Sequence, residues 1–144
     1  MVVKNIISEQ IEECITYISD INNLLTFDTI KNIKNSGFVY CIYIVNEKQI
    51  PKLVYIGKSK GHLFKTRIRN HFVNKNEHTG AKLDLIIEER LNGNEIKIKY
   101  ITTEPESYRN MLEEELINHF KPIWNIQKKK CNNIYQVFIS QYLI

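Results

Sequence analysis

A chain of 144 residues, 43% hydrophobic and 25% charged, has the size and make-up of one globular domain with a buried core. Its net charge of +4 is too small for a histone-like polycation. Cys14, Cys41 and Cys131 form no CxxC pair, so neither a zinc knuckle nor a disulfide framework is suggested and a reducing compartment is the simplest reading. No apolar run spans a membrane and no signal-peptide pattern opens the chain, so a cytoplasmic protein is expected.

The N-terminal segment reads as a helix, because Ile7, Ile11, Cys14, Ile15, Ile18, Ile21 and Leu25 recur at three- and four-residue steps, with Glu9, Glu12, Glu13 and Asp20 between them. Asn22 and Asn23 fray its end, and a short helical turn is expected from Asp28 to Ile33 before Asn35, Ser36 and Gly37 break the chain. Residues 38–45 are rich in aromatic and β-branched side chains and read as a strand. A polar loop over 46–51 leads to a second strand at 52–57, stopped by Gly57.

A helix is expected from Leu63 to Val73, with Phe64, Ile68 and Phe72 on one face. Another runs from Thr79 to Leu91 and is ended by Asn92-Gly93. Residues 95–102 alternate Ile96, Ile98 and Tyr100 with polar neighbours, the pattern of a half-buried strand. Pro105 opens the last helix as its first residue. That helix reaches Phe120 with Met111, Leu112, Leu116, Ile117 and Phe120 inward, and Pro122 prevents its continuation.

The sum is an α+β domain with a small three-stranded antiparallel sheet in ββααβα order and an N-terminal helical extension. The expected divisions are 1–36, 37–127 and a tail, 128–144, that packs on the domain. The tail's alternation of Tyr135, Val137 and Ile139 suits a strand or a short helix.

The polar residues follow an order. Phe38-Val39-Tyr40 precedes Tyr55-Ile56-Gly57. A stretch from Lys52 to Asn76 holds Lys52, Lys58, Lys60, Lys65, Arg67, Arg69 and Lys75 and no acid. Such a run is ordinarily a solvated face; beside paired tyrosines it suits a phosphate-facing surface. His71 follows Arg67 by four residues and so shares its helical face. Leu112-Glu113-Glu114-Glu115-Leu116-Ile117 comes next, then Lys121-Pro122-Ile123-Trp124-Asn125. Consecutive helical residues are about 100° apart, so Glu113, Glu114 and Glu115 cannot serve one site.

These pieces, in this order, resemble the GIY-YIG nuclease superfamily over residues 37–127. Phe38 stands where the family has its first glycine, with Gly37 one step earlier, and the loop between the triplets is a few residues longer than typical. Tyr43 is an alternative first tyrosine by spacing. Tyr40 is the better local match, and the strand's period of two turns Tyr43 to the opposite face.

The resemblance implies a DNA endonuclease with Tyr40, Tyr55, Arg67, His71, Glu113 and Asn125 in the catalytic set. Lys58, Lys60, Lys65, Arg69 and His78 would lie along the substrate. Tyr40 would be the base or relay for the attacking water, Tyr55 would orient it, and Arg67 would set its fork on the phosphate. Glu113 would hold Mg²⁺ or Mn²⁺, since one carboxylate with several waters suits these ions better than calcium. Asn125 would support the site through its amide. Two other readings stand beside this one. A module on the same fold could bind nucleic acid without cutting, or the first helix's apolar stripe could join a second copy or another protein.

Overall fold

The computed structural model describes residues 8–26, 37–48, 50–60 and 80–125, with the backbone alone at 80–84. The elements are α1 (Ser8–Ser19), β1 (Leu25–Thr26), β2 (Phe38–Val45), β3 (Pro51–Ser59), α2 (Gly80–Leu91), β4 (Glu95–Thr102) and α3 (Glu106–Phe120). Their arrangement is α+β around an antiparallel sheet of order β1-β4-β2-β3.

Among the described residues the sheet has four strands where three were expected. The extra strand comes from the N-terminal segment, where the apolar stripe was read as helical out to Leu25. The helix ends at Ser19, and Leu25 and Thr26 pair with Ile98 and Lys97. Asn22 donates its backbone N–H to the Asp20 side chain, a local turn that competes with helix continuation. β3 also exceeds its expected span. It starts on Pro51 and runs through Gly57 to Ser59, so Lys58 is a strand residue. Proline is tolerated there because β3 is an edge strand and Pro51 is its first residue. The expected helix at 63–73, the turn at 28–33 and the tail at 128–144 lie outside the described residues.

β2 is buried at every position because it lies between β3 and β4 and both of its faces are covered. Phe38, Tyr40, Ile42 and Ile44 meet Val54, Ile86 of α2, Ile98 and Trp124 on one face. Val39, Cys41 and Tyr43 meet Ile56, Ile18 of α1, and Leu112 and Leu116 of α3 on the other. Tyr40 and Tyr43 therefore face opposite sides, as the alternation predicts. The β2–β3 register shifts between Ile42 and Tyr43. This bulge lets Val54 turn into the same face as Tyr55.

α1 docks on the sheet through Ile11, Cys14, Ile15 and Ile18. Its apolar stripe is thus used inside the chain and gives no support to a partner at that face. Its C-terminal carbonyls find two buried donors. Tyr43 donates its hydroxyl to the Ile18 carbonyl at 2.6 Å. Lys99 donates to the carbonyls of Tyr17 and Asp20 and sits 4.1 Å from the centre of the Tyr17 ring. Lys99 was expected on a polar strand face; it is 1% exposed. A cation at the negative end of a helix offsets part of its desolvation, yet burial still holds the ammonium below its ordinary pKa.

Burial pushes the Cys41 thiol up from 9.0 to about 12. The unfolded chain sheds that proton near pH 9, while the folded chain keeps it. Stability is therefore lost as pH rises, at up to about 1.4 kcal/mol per unit for this one group. Denaturant unfolding at pH 8, 9 and 10 should show this loss, and Cys41→Ala should flatten it. An equal slope in the variant would assign the loss elsewhere.

Candidate active site

The second tyrosine triplet is the centre of the site, and the strand supplies its geometry. Strand alternation turns Tyr55 and Gly57 to the face covered by α2. It turns Ile56 and Lys58 to the face under α1 and α3. Tyr40 pairs with Gly57 across the hairpin. A Cβ at Gly57 would stand 2.6 Å from both the Cζ and the hydroxyl oxygen of Tyr40 and 3.0 Å from the Tyr55 ring. The Tyr40 phenol thus lies on the glycine backbone, with the Tyr55 ring 6.1 Å away, centre to centre. Tyr40 is fully buried, whereas Tyr55 is only half-buried.

Gly57→Ala should therefore displace both rings. Overpacking of this kind costs about 1–3 kcal/mol, visible as a lower denaturation midpoint. A variant of unchanged stability would show that the Tyr40 ring moves aside freely.

The other half of the site comes from α3. Pro105 is the residue before the first helical turn, rather than within it, and the helix ends at Lys121 in the left-handed conformation with its N–H on the Ile117 carbonyl. Among the three glutamates, Glu113 is half-buried and Glu114 and Glu115 are exposed. This follows from Leu112 and Leu116 facing the sheet, which brings Glu113 to the margin of the contact. Lys58 Nζ lies 4.0 Å from Glu113 Oε1 and donates to Asn110 Oδ1 at 2.7 Å.

Asn125 closes the edge of β3. Its amide nitrogen donates to the Ile56 carbonyl, and its amide oxygen accepts from the Ile56 N–H, both at 3.0 Å. A side-chain amide thus takes the place of a neighbouring strand, satisfying backbone groups that an edge would otherwise leave to solvent. The turn Lys121–Asn125, with Trp124 buried against the sheet, aims it there.

The structure therefore brings Tyr40 and Tyr55 together on one side of residues 55–58, gathers Lys58 and Glu113 on the other, and places Asn125 along the edge between them. Lys60 is exposed just beyond β3. Arg67, His71, Lys65, Arg69 and His78 lie outside the described residues. Among the described residues, no three His, Cys, Asp or Glu side chains gather as a metal cage. Among the described residues, the carboxylate donor at this site is that of Glu113. It fits a small divalent ion that keeps most of its waters.

Two polar residues of α3 were not anticipated. Asn110 stands three residues before Glu113, and that helical spacing was signal enough to find it. Arg109 is 5% exposed and donates to the Thr103 carbonyl at 3.0 Å, with Glu104 3.4 Å away. It lies so close to Gly37 that a Cβ there would overlap its guanidinium. The Gly37 N–H donates to Glu104 and its carbonyl accepts from Thr103, so this cluster anchors the start of β2. The signal was Arg109's place on the stripe of Leu112 and Leu116.

The domain is a small α+β fold with a tyrosine from each strand of a hairpin on one face of the sheet and a helix glutamate on the other. Residues 39–126 match the model of the UvrC-like GIY-YIG domain. This match covers more than half of the chain, and the protein belongs to the GIY-YIG nuclease superfamily. It is also similar to the UvrABC system protein C of Oenococcus oeni, 33% identical over 78 residues, which are 54% of this chain and 11% of that protein. The UvrABC system protein C of Borreliella burgdorferi is 33% identical over 89 residues, 62% of this chain and 13% of that protein. The chain thus spans little more than a tenth of the length of these relatives. Among the described residues no helix is long and apolar enough to cross a membrane.

Proposed function

We propose that the protein is a metal-dependent endonuclease that hydrolyses DNA phosphodiester bonds at the edge of β3. The observation that supports this most is the convergence on residues 55–58 of a tyrosine pair, a lysine–glutamate pair and the Asn125 clamp. In hydrolysis a water oxygen bonds to phosphorus, the water's proton passes to a base, and the bond from phosphorus to the leaving oxygen breaks.

Exposure favours an exchange of the two tyrosine roles expected from the resemblance. Tyr55 has solvent access and takes the proton; Tyr40, buried on Gly57, fixes the hairpin beneath it. Lys58 supplies positive charge for the phosphate. Glu113 and waters would hold Mg²⁺ or Mn²⁺, which supplies Lewis-acid stabilisation of the leaving oxygen. Asn125 keeps the Tyr55–Lys58 segment straight. The basic stretch Lys52–Lys75 is the proposed path of the DNA backbone, and Cys14 and Cys41, both free, suit the cytoplasm.

Supercoiled plasmid is the test. Nicked or linear product should form with Mg²⁺ or Mn²⁺ and not with EDTA, and DNA affinity should fall as salt rises, through released counterions. Binding without product under any divalent ion would replace this reading with that of a non-cleaving module. Affinity indifferent to salt would remove the basic stretch from the interface.

A further inference from the structure

We propose that residues 128–144 of the same chain occupy a groove between α2, the start of β3 and the turn that follows α3, with Lys128, Lys129 and Lys130 against Glu88 and Glu89. The groove has a volume of about 370 Å³. Ile44, Val54 and Trp124 form its buried floor. Its rim is apolar too, with Ile50 60% exposed and Ile123 42% exposed. Isoleucines open to water around one concave surface gain free energy when that surface is covered.

Three observations choose the occupant. The first is where the chain leaves the sheet. Trp124 lines the groove and Asn125 follows it, so the segment beyond starts at the groove's own wall. Three extended residues span about 10 Å, enough to carry Lys128 across a groove of this size.

The second is charge. Glu88 and Glu89 line the groove from α2 and outnumber Lys52. Residues 126–144 hold Lys128, Lys129 and Lys130 and no acid. The third is composition. Eight of the eleven residues from Ile134 to Ile144 are aliphatic or aromatic, too many for a segment that stays in water. Exposed ion pairs contribute little stability, so they set the position while apolar burial supplies the free energy. A second copy would meet the same groove without the short tether, which gives the chain's own segment a far higher effective concentration.

The test is amide hydrogen exchange of residues 134–144 in the full chain. Ile50→Asp with Ile123→Asp should lower their protection about tenfold and leave exchange in β2 unchanged. Lys128→Glu, Lys129→Glu and Lys130→Glu together should lower it about threefold, and adding Glu88→Lys should restore part of that loss. Should the aspartates also open β2, the charge reversal decides alone, because it touches no apolar residue. An unprotected segment in the wild type, or protection indifferent to the aspartates, would overturn the proposal. So would a charge reversal that Glu88→Lys does not relieve. Protection that rises with protein concentration would overturn it as well, since the groove would then hold the segment of a second copy.

Discussion

Glu113→Gln should lower the single-turnover rate of plasmid cleavage by about 10²- to 10³-fold, the scale seen when one group that stabilises transition-state charge is removed. The substitution keeps the shape of the side chain and removes its charge. Glu113 is half-buried at the margin of the α3 contact, with Lys58 4.0 Å from its carboxylate. DNA affinity should be kept or slightly raised, because the loss of a negative charge does not weaken phosphate contacts. Glu114→Gln is the control. Glu114 is exposed on another face of the same helix and should change the rate little. A dead Glu114→Gln beside an active Glu113→Gln would mean that the site lies elsewhere on α3.

Tyr55→Phe should reduce the single-turnover rate by about 10²- to 10⁴-fold, the usual contribution of a general base, while stability and DNA affinity change little. Tyr40→Phe separates the roles. Its hydroxyl is buried against Gly57, so its loss should lower the unfolding free energy as well as the rate, with the smaller effect on the rate. Tyr43→Phe gives a third pattern. It deletes the 2.6 Å bond to the Ile18 carbonyl, leaves a buried acceptor, and should cost about 1–3 kcal/mol with cleavage nearly intact. Tyr43→Phe should thus be nearly silent in cleavage, in keeping with the opposite face that the strand's period of two gives it, and its effect on stability belongs to the anchoring of α1. If Tyr40→Phe loses more rate than Tyr55→Phe, the base is the buried tyrosine after all.

The sequence by itself determined the elements whose pattern is strong and local. The span of β2 follows from an unbroken run of β-formers, and β4 from alternation. The end of α3 at Phe120 follows from Pro122, and the separation of Glu113 from its two neighbours follows from helical angle. The order of the two tyrosine triplets, Arg67 with His71, Glu113 and Asn125 was likewise enough to identify the family.

Tertiary structure decided whatever depended on a partner distant in the chain. Leu25 and Thr26 form a strand because β4 offers them an edge at Ile98 and Lys97, and no local periodicity records that offer. Lys99 is buried because the α1 carbonyls that receive it are about 80 residues away in sequence. β3 continues through Gly57 because Tyr40 fills the space where a side chain would stand, so the glycine permits close packing instead of ending the strand. Asn110 joins Lys58 for the same reason: a helix and an edge strand 52 residues apart meet only when α3 packs on the sheet. Local patterns record the backbone preferences of neighbouring residues. Which buried polar group finds which partner depends on the packing of whole elements, and it was in those pairings that the structure departed from the sequence reading.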